Sequence, residues 1–174
     1  WHDQFGMELL VAPVADGEPS YHSYIIVTKS SRAETLEDLR RKRFAFTDPM
    51  SNTGKLAPTF MLAQLNENID SFFKEYIFTY SHDRSIEMVA HSLVDGASVD
   101  GLIWEYMNSM DPTLTSQTKI IKKSEPFGIP PIVVPPLLDT KLKESLRNLF
   151  LNIHTDENGS KIIKKLYIEF LKRI

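Results

Sequence analysis

Phe44-Ala-Phe-Thr-Asp-Pro-Met-Ser-Asn-Thr-Gly-Lys-Leu56 is the stretch on which the reading turns. A short β-rich run, Phe44 to Thr47, passes through a polar turn into a helix predicted over Thr53 to Leu65. Ser51, Asn52 and Thr53 are all good N-cap residues, yet one cap needs only one of them. A helix starting there leaves N–H groups unpaired and presents the positive end of its dipole. One reading is an ordinary cap. The other is a cradle in which N–H groups, two hydroxyls and an amide hold a tetrahedral oxyanion with no cationic side chain. Gly54-Lys55 matches the end of a phosphate-binding P-loop, but Pro49 stands where that loop needs Gly, and Leu56 replaces the magnesium-binding hydroxyl. A nucleotide triphosphatase is therefore rejected.

The same passage from strand to helix repeats on both sides of this segment, which makes the chain α/β. Predicted strands are Met7 to Val11, Tyr24 to Thr28, Phe44 to Thr47, Tyr76 to Tyr80, Gly96 to Val99, Lys119 to Lys122 and Ile132 to Val134. Predicted helices, besides Thr53 to Leu65, are Leu36 to Lys42, Arg84 to Leu93, Leu102 to Met107, Lys141 to Ile153 and Lys161 to Ile174. Thr35 with Asp38 reads as a capping box with Asp in place of Glu. Leu142, Leu146, Leu149, Phe150 and Ile153 form one apolar stripe; Ile163, Leu166, Tyr167, Phe170, Leu171 and Ile174 form another, and both read as core.

Two stretches cannot be helix. Ser124 to Pro136 carries five of the ten prolines, and Ala12 to Ser23 holds Pro13, Gly17 and Pro19. Both read as extended connections. Connections that bracket an α/β block imply one lobe inserted into another with a cleft between, an architecture suited to a ligand.

Tyr80-Ser-His-Asp-Arg-Ser85 places His82 at a second helix start, near the carboxyl end of a strand, where open α/β sheets bind ligands. It reads equally as a capped histidine or as a donor to an anion. Asp95 and Asp100 flank the short strand from Gly96 and so form no acid–base dyad; Asp100 caps the next helix or accepts a hydrogen bond from a protonated ligand oxygen or an amine. The other histidines, His2, His22, His91 and His154, lack metal-ligand spacing, so no metal and no cofactor is expected. No G-x-S-x-G elbow supports a hydrolase, and no enzyme is expected. The basic run Arg40 to Arg43 reads as a solvated helix end.

With 174 residues, 42% hydrophobic and 25% charged, the chain has the composition of one domain or one domain and part of a second. A net charge of -3 gives no global attraction to nucleic acid, so any anion site is local. No apolar run reaches the roughly 18 residues that a bilayer needs. The absence of Cys leaves the compartment open. A start at Trp1 rather than Met suggests a piece of something longer.

Six landmarks occur in a familiar order: Tyr21-His-Ser-Tyr-Ile-Ile-Val27, Leu36-Glu-Asp-Leu-Arg-Arg-Lys-Arg-Phe-Ala-Phe46, Asp48-Pro-Met-Ser-Asn-Thr-Gly54, Ser81-His-Asp83, Val94-Asp95 with Val99-Asp100, and Gly128-Ile-Pro-Pro-Ile-Val-Val134. Together they resemble the phosphate, phosphite and phosphonate-binding proteins of ABC importers, which are type 2 periplasmic binding proteins. The resemblance implies an α/β fold with one essentially complete lobe, residues 24–123, and part of a second, residues 1–23 and 124–174. It also implies an extracytoplasmic receptor, free or attached to the membrane by lipid or linker, for a small phosphate-like or phosphonate-like oxyanion.

By the same resemblance, Ser51, Asn52 and Thr53 fall on the helix start that holds the phosphoryl oxygens, although the family usually has Ser-Thr-Ser-Gly there. His82 falls on a His-Asp pair, Tyr21 on the aromatic residue of the first crossover, and Asp100 near an acidic ligand contact. The implied partner is the membrane permease of an ABC importer. Alternatives are a sensory domain linked to a signalling module, or a truncated relic that binds nothing. The βαβ units that open the family's first lobe are not in this sequence. For a truncated chain, the C-terminal stripes would lack part of their partner sheet, which predicts a homodimer or lower stability.

Overall fold

The structure, a computed structural model, describes residues 5–174; Trp1 and His2 lie outside the described residues. Along the chain run β1 (Glu8–Val14), β2 (Ser20–Tyr21), β3 (Ser23–Thr28), β4 (Arg43–Phe46), α1 (Ala57–Gln64), α2 (Ile69–Phe72), β5 (Glu75–Phe78), α3 (His82–Ala90), β6 (Gly96–Asp100) and α4 (Gly101–Met110). There follow β7 (Thr118–Lys123), β8 (Phe127–Gly128), β9 (Ile132–Val134), α5 (Thr140–Asn152), α6 (Glu157–Lys164) and β10 (Phe170–Lys172). They divide into two compact units, residues 22–126 and residues 1–21 with 127–174. Among the described residues, no helix is long and apolar enough to cross a membrane.

The unit of residues 22–126 is built on a five-stranded sheet in the order β5-β4-β6-β3-β7. β4 runs parallel to both β5 and β6, while β3 is antiparallel to β6 and β7. Because both faces are covered, its inner strands are apolar at nearly every position. Ile25, Val27, Phe44 and Phe46 face a cluster with Leu62, Phe72 and Phe73. Their neighbours Tyr24, Ile26, Ala45, Ala97 and Val99 face Ile86 and Val89 of α3. Phe44 and Phe73 stack at 4.3 Å, giving the first cluster an aromatic centre.

The unit of residues 1–21 and 127–174 has a three-stranded antiparallel sheet, β10-β1-β9, and a separate pairing of β2 with β8. Val11, Ile163 and Leu171 form its buried centre, with Phe150, Leu151, Ile153 and Ile168 packed around them.

All seven predicted strands are present, with ends shifted by a few residues. Two predicted helices differ. The helix expected over Lys161 to Ile174 runs instead over Glu157–Lys164, and its tail becomes β10. Tyr167 takes φ 58°, and the N–H groups of Tyr167 and Ile168 return to the carbonyls of Lys164 and Ile163. That Schellman closure stops the helix, and Phe170 to Lys172 then pair with Val14 to Ala12. A non-local ladder thus overrides the local period.

The helix expected over Leu36 to Lys42 is a single 3₁₀ turn, Glu37–Leu39. Leu36 and Leu39 are buried three residues apart, Arg41 leaves at φ 60°, and its N–H bonds the Phe72 carbonyl. The basic run is therefore no helix end. Arg40 pairs with Glu67 at 2.6 Å and lies over the Phe72 ring, while Arg43 pairs with Asp95. The expected capping box also departs from its form, since Asp38 accepts from the N–H groups of both Glu34 and Thr35.

The stripe of α5 is less buried than a core stripe: no residue of the helix is fully buried, and Leu149 is 58% exposed. The proline-rich connections also carry short strands, β2 and β8, that the composition alone does not reveal.

Candidate functional site

The parallel strands β4, β5 and β6 end at the same edge of their sheet, and each leads into a helix. After β4 comes a wide π-turn, Asn52–Leu56, continuous with α1; after β5 comes α3, opening at His82; after β6 comes α4, capped by Asp100. Three helix starts therefore gather at the carboxyl edge of the strands, the place where such sheets hold anions. Ser51, Asn52, Thr53, His82 and Asp100 all lie in this unit. Tyr21 belongs to the other unit, where it is buried with its ring edge-on to Phe127 at 6.3 Å.

The π-turn has a chemical cause. Pro58 has no N–H and its ring crowds the preceding turn, so the chain widens before it. Leu56 N–H reaches back to the Ser51 carbonyl and Ala57 N–H to that of Asn52. Pro58, five residues after Thr53 and four after Gly54, can donate to neither of their carbonyls. Gly54 O accepts from Thr47 N–H at 3.3 Å. Thr53 O accepts from two buried hydroxyls of the sheet, Ser23 Oγ at 2.6 Å and Ser98 Oγ at 2.7 Å.

At the same helix start, Ser51 Oγ accepts from Gly54 N–H at 3.0 Å and so acts as the cap. The Thr53 N–H has no hydrogen-bond partner among the described residues. Its side chain is only 2% exposed, and its hydroxyl donates to Asp100 Oδ2 at 3.2 Å. Thr53 is thus a donor to Asp100 through its side chain, and its open donor is the main-chain N–H. Lys55, the cation adjacent in sequence, turns away: its ammonium lies 4.9 Å over the Phe46 ring and donates to Thr59 Oγ1.

Asp100 is satisfied on both oxygens, since Oδ1 accepts from Leu102 N–H at 2.9 Å. Burial pushes its carboxyl above the ordinary aspartate value, opposed by the nearby His82 and by these donors. The main-chain N–H of Asp100 donates to His82 Nδ1 at 2.9 Å. A ring nitrogen that accepts carries no proton, so neutral His82 bears its hydrogen on Nε2. Burial also pulls the imidazole below its ordinary value, against the pull of Asp100 and Asp83. The site thus holds a main-chain N–H, a neutral imidazole N–H and a half-buried carboxylate linked in one hydrogen-bonded chain, Thr53 to Asp100 to His82.

Asp95, weighed in the sequence beside Asp100, is structural: it accepts from the Arg43 main-chain N–H and pairs with its guanidinium. Ser23 and Ser98 escaped the sequence reading. Their signal is a lone hydroxyl at the margin or centre of an otherwise apolar strand, since a buried hydroxyl must have a partner.

The whole chain, residues 1–174, matches the family described as the periplasmic substrate-binding protein of the phosphonate ABC transporter. It is 29% identical over 156 residues to the phosphonates-binding periplasmic protein of Escherichia coli (strain K12), covering 87% of this chain and 46% of that protein. It is 27% identical over 118 residues to a probable ABC transporter phosphite binding protein of Prochlorococcus marinus (strain MIT 9301), covering 64% of this chain and 40% of that one. The chain thus spans about half the length of the curated relatives it matches. Among solved structures, the binding protein component of an ABC phosphonate transporter from Pseudomonas aeruginosa superposes with a TM-score of 0.85 at 27% identity, over 98% of this chain and 58% of that chain. The Prochlorococcus marinus protein in complex with methylphosphonate superposes with a TM-score of 0.82 at 20% identity, over 95% of this chain and 65% of that chain, a likeness of fold. The α/β architecture is that of part of the periplasmic binding protein fold, and the chain belongs to the family of periplasmic substrate-binding proteins of phosphonate ABC transporters.

Proposed function

We propose that this chain binds a phosphonate-like or phosphate-like oxyanion outside the cytoplasm, as the receptor part of an ABC-type importer whose membrane permease is its partner, and that it performs no catalysis. The observation that carries the reading is the Thr53 N–H, which has no hydrogen-bond partner among the described residues, at a helix start whose neighbours are a neutral His82 and the carboxylate of Asp100. N–H groups and a helix dipole attract an anion without the desolvation cost of a buried cation. An accepting carboxylate beside them favours a ligand that still carries an O–H or an amine. Ser51 and Asn52 complete the helix start. The names of the relatives, phosphonates-binding and phosphite binding, agree with this chemistry.

Calorimetric titration with methylphosphonate, phosphite, phosphate and sulfate tests it. Saturable binding of at least one phosphorus oxyanion, weakened by Ser51→Ala and by His82→Ala, is expected. Silence toward all four overturns the reading.

The half-exposed apolar residues of α5 and α6 support one more proposal, that the chain self-associates through this face in solution.

A further inference from the structure

Thr53 O is an orphan of the π-turn, and the sheet supplies its donors. Ser23 and Ser98 are both completely buried, and their hydroxyls lie 2.8 Å apart. They bring two protons to three contacts, so the carbonyl receives at least one and at most two of them. The register explains why they converge. β3 and β6 pair Ser23 with Asp100 and Ile25 with Ser98, which puts Ser23, Ser98 and Asp100 on one face of the sheet. That face meets Thr53 at two atoms: the serines hold its carbonyl, and Asp100 holds its hydroxyl.

The cause and the consequence lie in one peptide segment. Pro58 and the widened turn strip Thr53 O of a helical partner, and a buried carbonyl without a donor costs about 1 to 3 kcal/mol. A regular helix would have satisfied that carbonyl from within and left the sheet uninvolved. Here the turn is tied to β3 and β6 instead: the serine bonds fix the peptide plane of Thr53 C=O and Gly54 N–H, the Asp100 bond fixes the Thr53 side chain, and with both held the Thr53 N–H is anchored to the strand that also carries Asp100.

We infer that Ser23 and Ser98 are paired positioning residues, which hold the Thr53 carbonyl so that its N–H and the Asp100–His82 pair keep one fixed geometry toward an anion. They touch no ligand and act only through Thr53. The inference rests on the anion-binding reading above for its consequence, and on the hydrogen bonds alone for its mechanism.

The test uses the 174-residue chain, the Ser98→Ala variant, the Ser23→Ala/Ser98→Ala double variant, and the double variant with Pro58→Ala added. Pro58→Ala returns an N–H to the helix and lets it close as a regular α-turn. Three readouts are taken: midpoint of urea unfolding, methylphosphonate affinity by calorimetry, and amide hydrogen exchange of Gly54, whose N–H shares its peptide with the Thr53 carbonyl, in the free protein. The expected result is faster exchange at Gly54 and an affinity lower by about tenfold in the double variant, the equivalent of one misdirected donor. Addition of Pro58→Ala is expected to restore the unfolding midpoint and leave the affinity low, which separates positioning from mere stability. Recovery of both together, or an affinity unchanged by loss of the two hydroxyls, overturns the inference. If the double variant fails to fold, Ser98→Ala is read in the same way at smaller amplitude. If the parent chain binds none of the oxyanions, the function proposed above fails, and exchange at Gly54 still decides this inference: unchanged exchange overturns it.

Discussion

The main-chain N–H of Asp100 donates to Nδ1 of His82 across 2.9 Å, and this bond sets the tautomer of an imidazole whose proton affinity burial lowers. Protonating Nδ1 would place two donors face to face, so the fold holds His82 neutral and leaves Nε2–H as its donor. A neutral imidazole at a helix start is a hydrogen-bond donor to an anion whose own charge is balanced by helix N–H groups.

A pH dependence follows. The His82 value is pulled below its ordinary 6.5 in the folded protein. As pH drops below that point the unfolded chain takes up a proton that the folded chain resists, and stability declines, with a slope of at most about 1.4 kcal/mol per pH unit. Asp100, pushed up by burial, contributes with the opposite sign. Urea unfolding of the parent chain and of His82→Gln from pH 7.5 to pH 5 isolates the histidine: the parent is expected to lose stability relative to the variant as pH falls. A difference that stays constant across this range defeats the tautomer assignment.

Ser51 caps the turn through Gly54 N–H. Ser51→Ala is expected to lower unfolding stability by about 1 kcal/mol, the ordinary worth of an N-cap. A variant as stable as the parent in denaturant titration would mean that another group takes the Gly54 N–H.

Thr47 Oγ1 is buried with no hydrogen-bond partner among the described residues, and it sits where a side chain on Gly54 would be. A Cβ at Gly54 would stand 1.5 Å from that oxygen and 2.7 Å from Thr47 Cβ. Gly54→Ala is therefore expected to destabilise the chain by about 1 to 3 kcal/mol through overpacking, with partial recovery on adding Thr47→Ala. Thr47→Val, which exchanges an unsatisfied hydroxyl for a methyl of like volume, is expected to stabilise by about 1 kcal/mol. Guanidinium unfolding checks both, and a destabilised Thr47→Val would show that the hydroxyl has a partner in solution.

Leu142 and Leu149, two turns apart on α5, are each about half exposed, as are Ile162 and Leu166 near the end of α6. A concentration-dependent rise in mass by light scattering is expected of the parent chain, and Leu142→Glu/Leu149→Glu is expected to reduce it. A strictly monomeric parent chain refutes the proposed self-association.

Most of the α/β pattern was written locally. Phe44, Ala45 and Phe46 form a strand because both of its faces are covered, and Pro49 to Ser51 end it in a polar turn. The helix starts at Thr53, His82 and Asp100 were equally legible, since capping residues act on amides two or three positions away. Residues whose partners lie within a turn can be read from their neighbours.

Tertiary structure decided what depends on distant partners. Phe170 to Lys172 carry a helical period, yet they form β10 because β1 offers a ladder about 160 residues away in sequence, pairing Ala12 with Lys172 and Val14 with Phe170. The serines at 23 and 98 give no local sign of sharing one carbonyl; only the pairing of β3 with β6 brings them to Thr53. The state of His82 depends likewise on an amide 18 residues further along. A sequence pattern records what a residue offers, whereas burial and direction, which set hydrogen-bond partners and proton affinities, exist only once strands distant in the chain lie side by side.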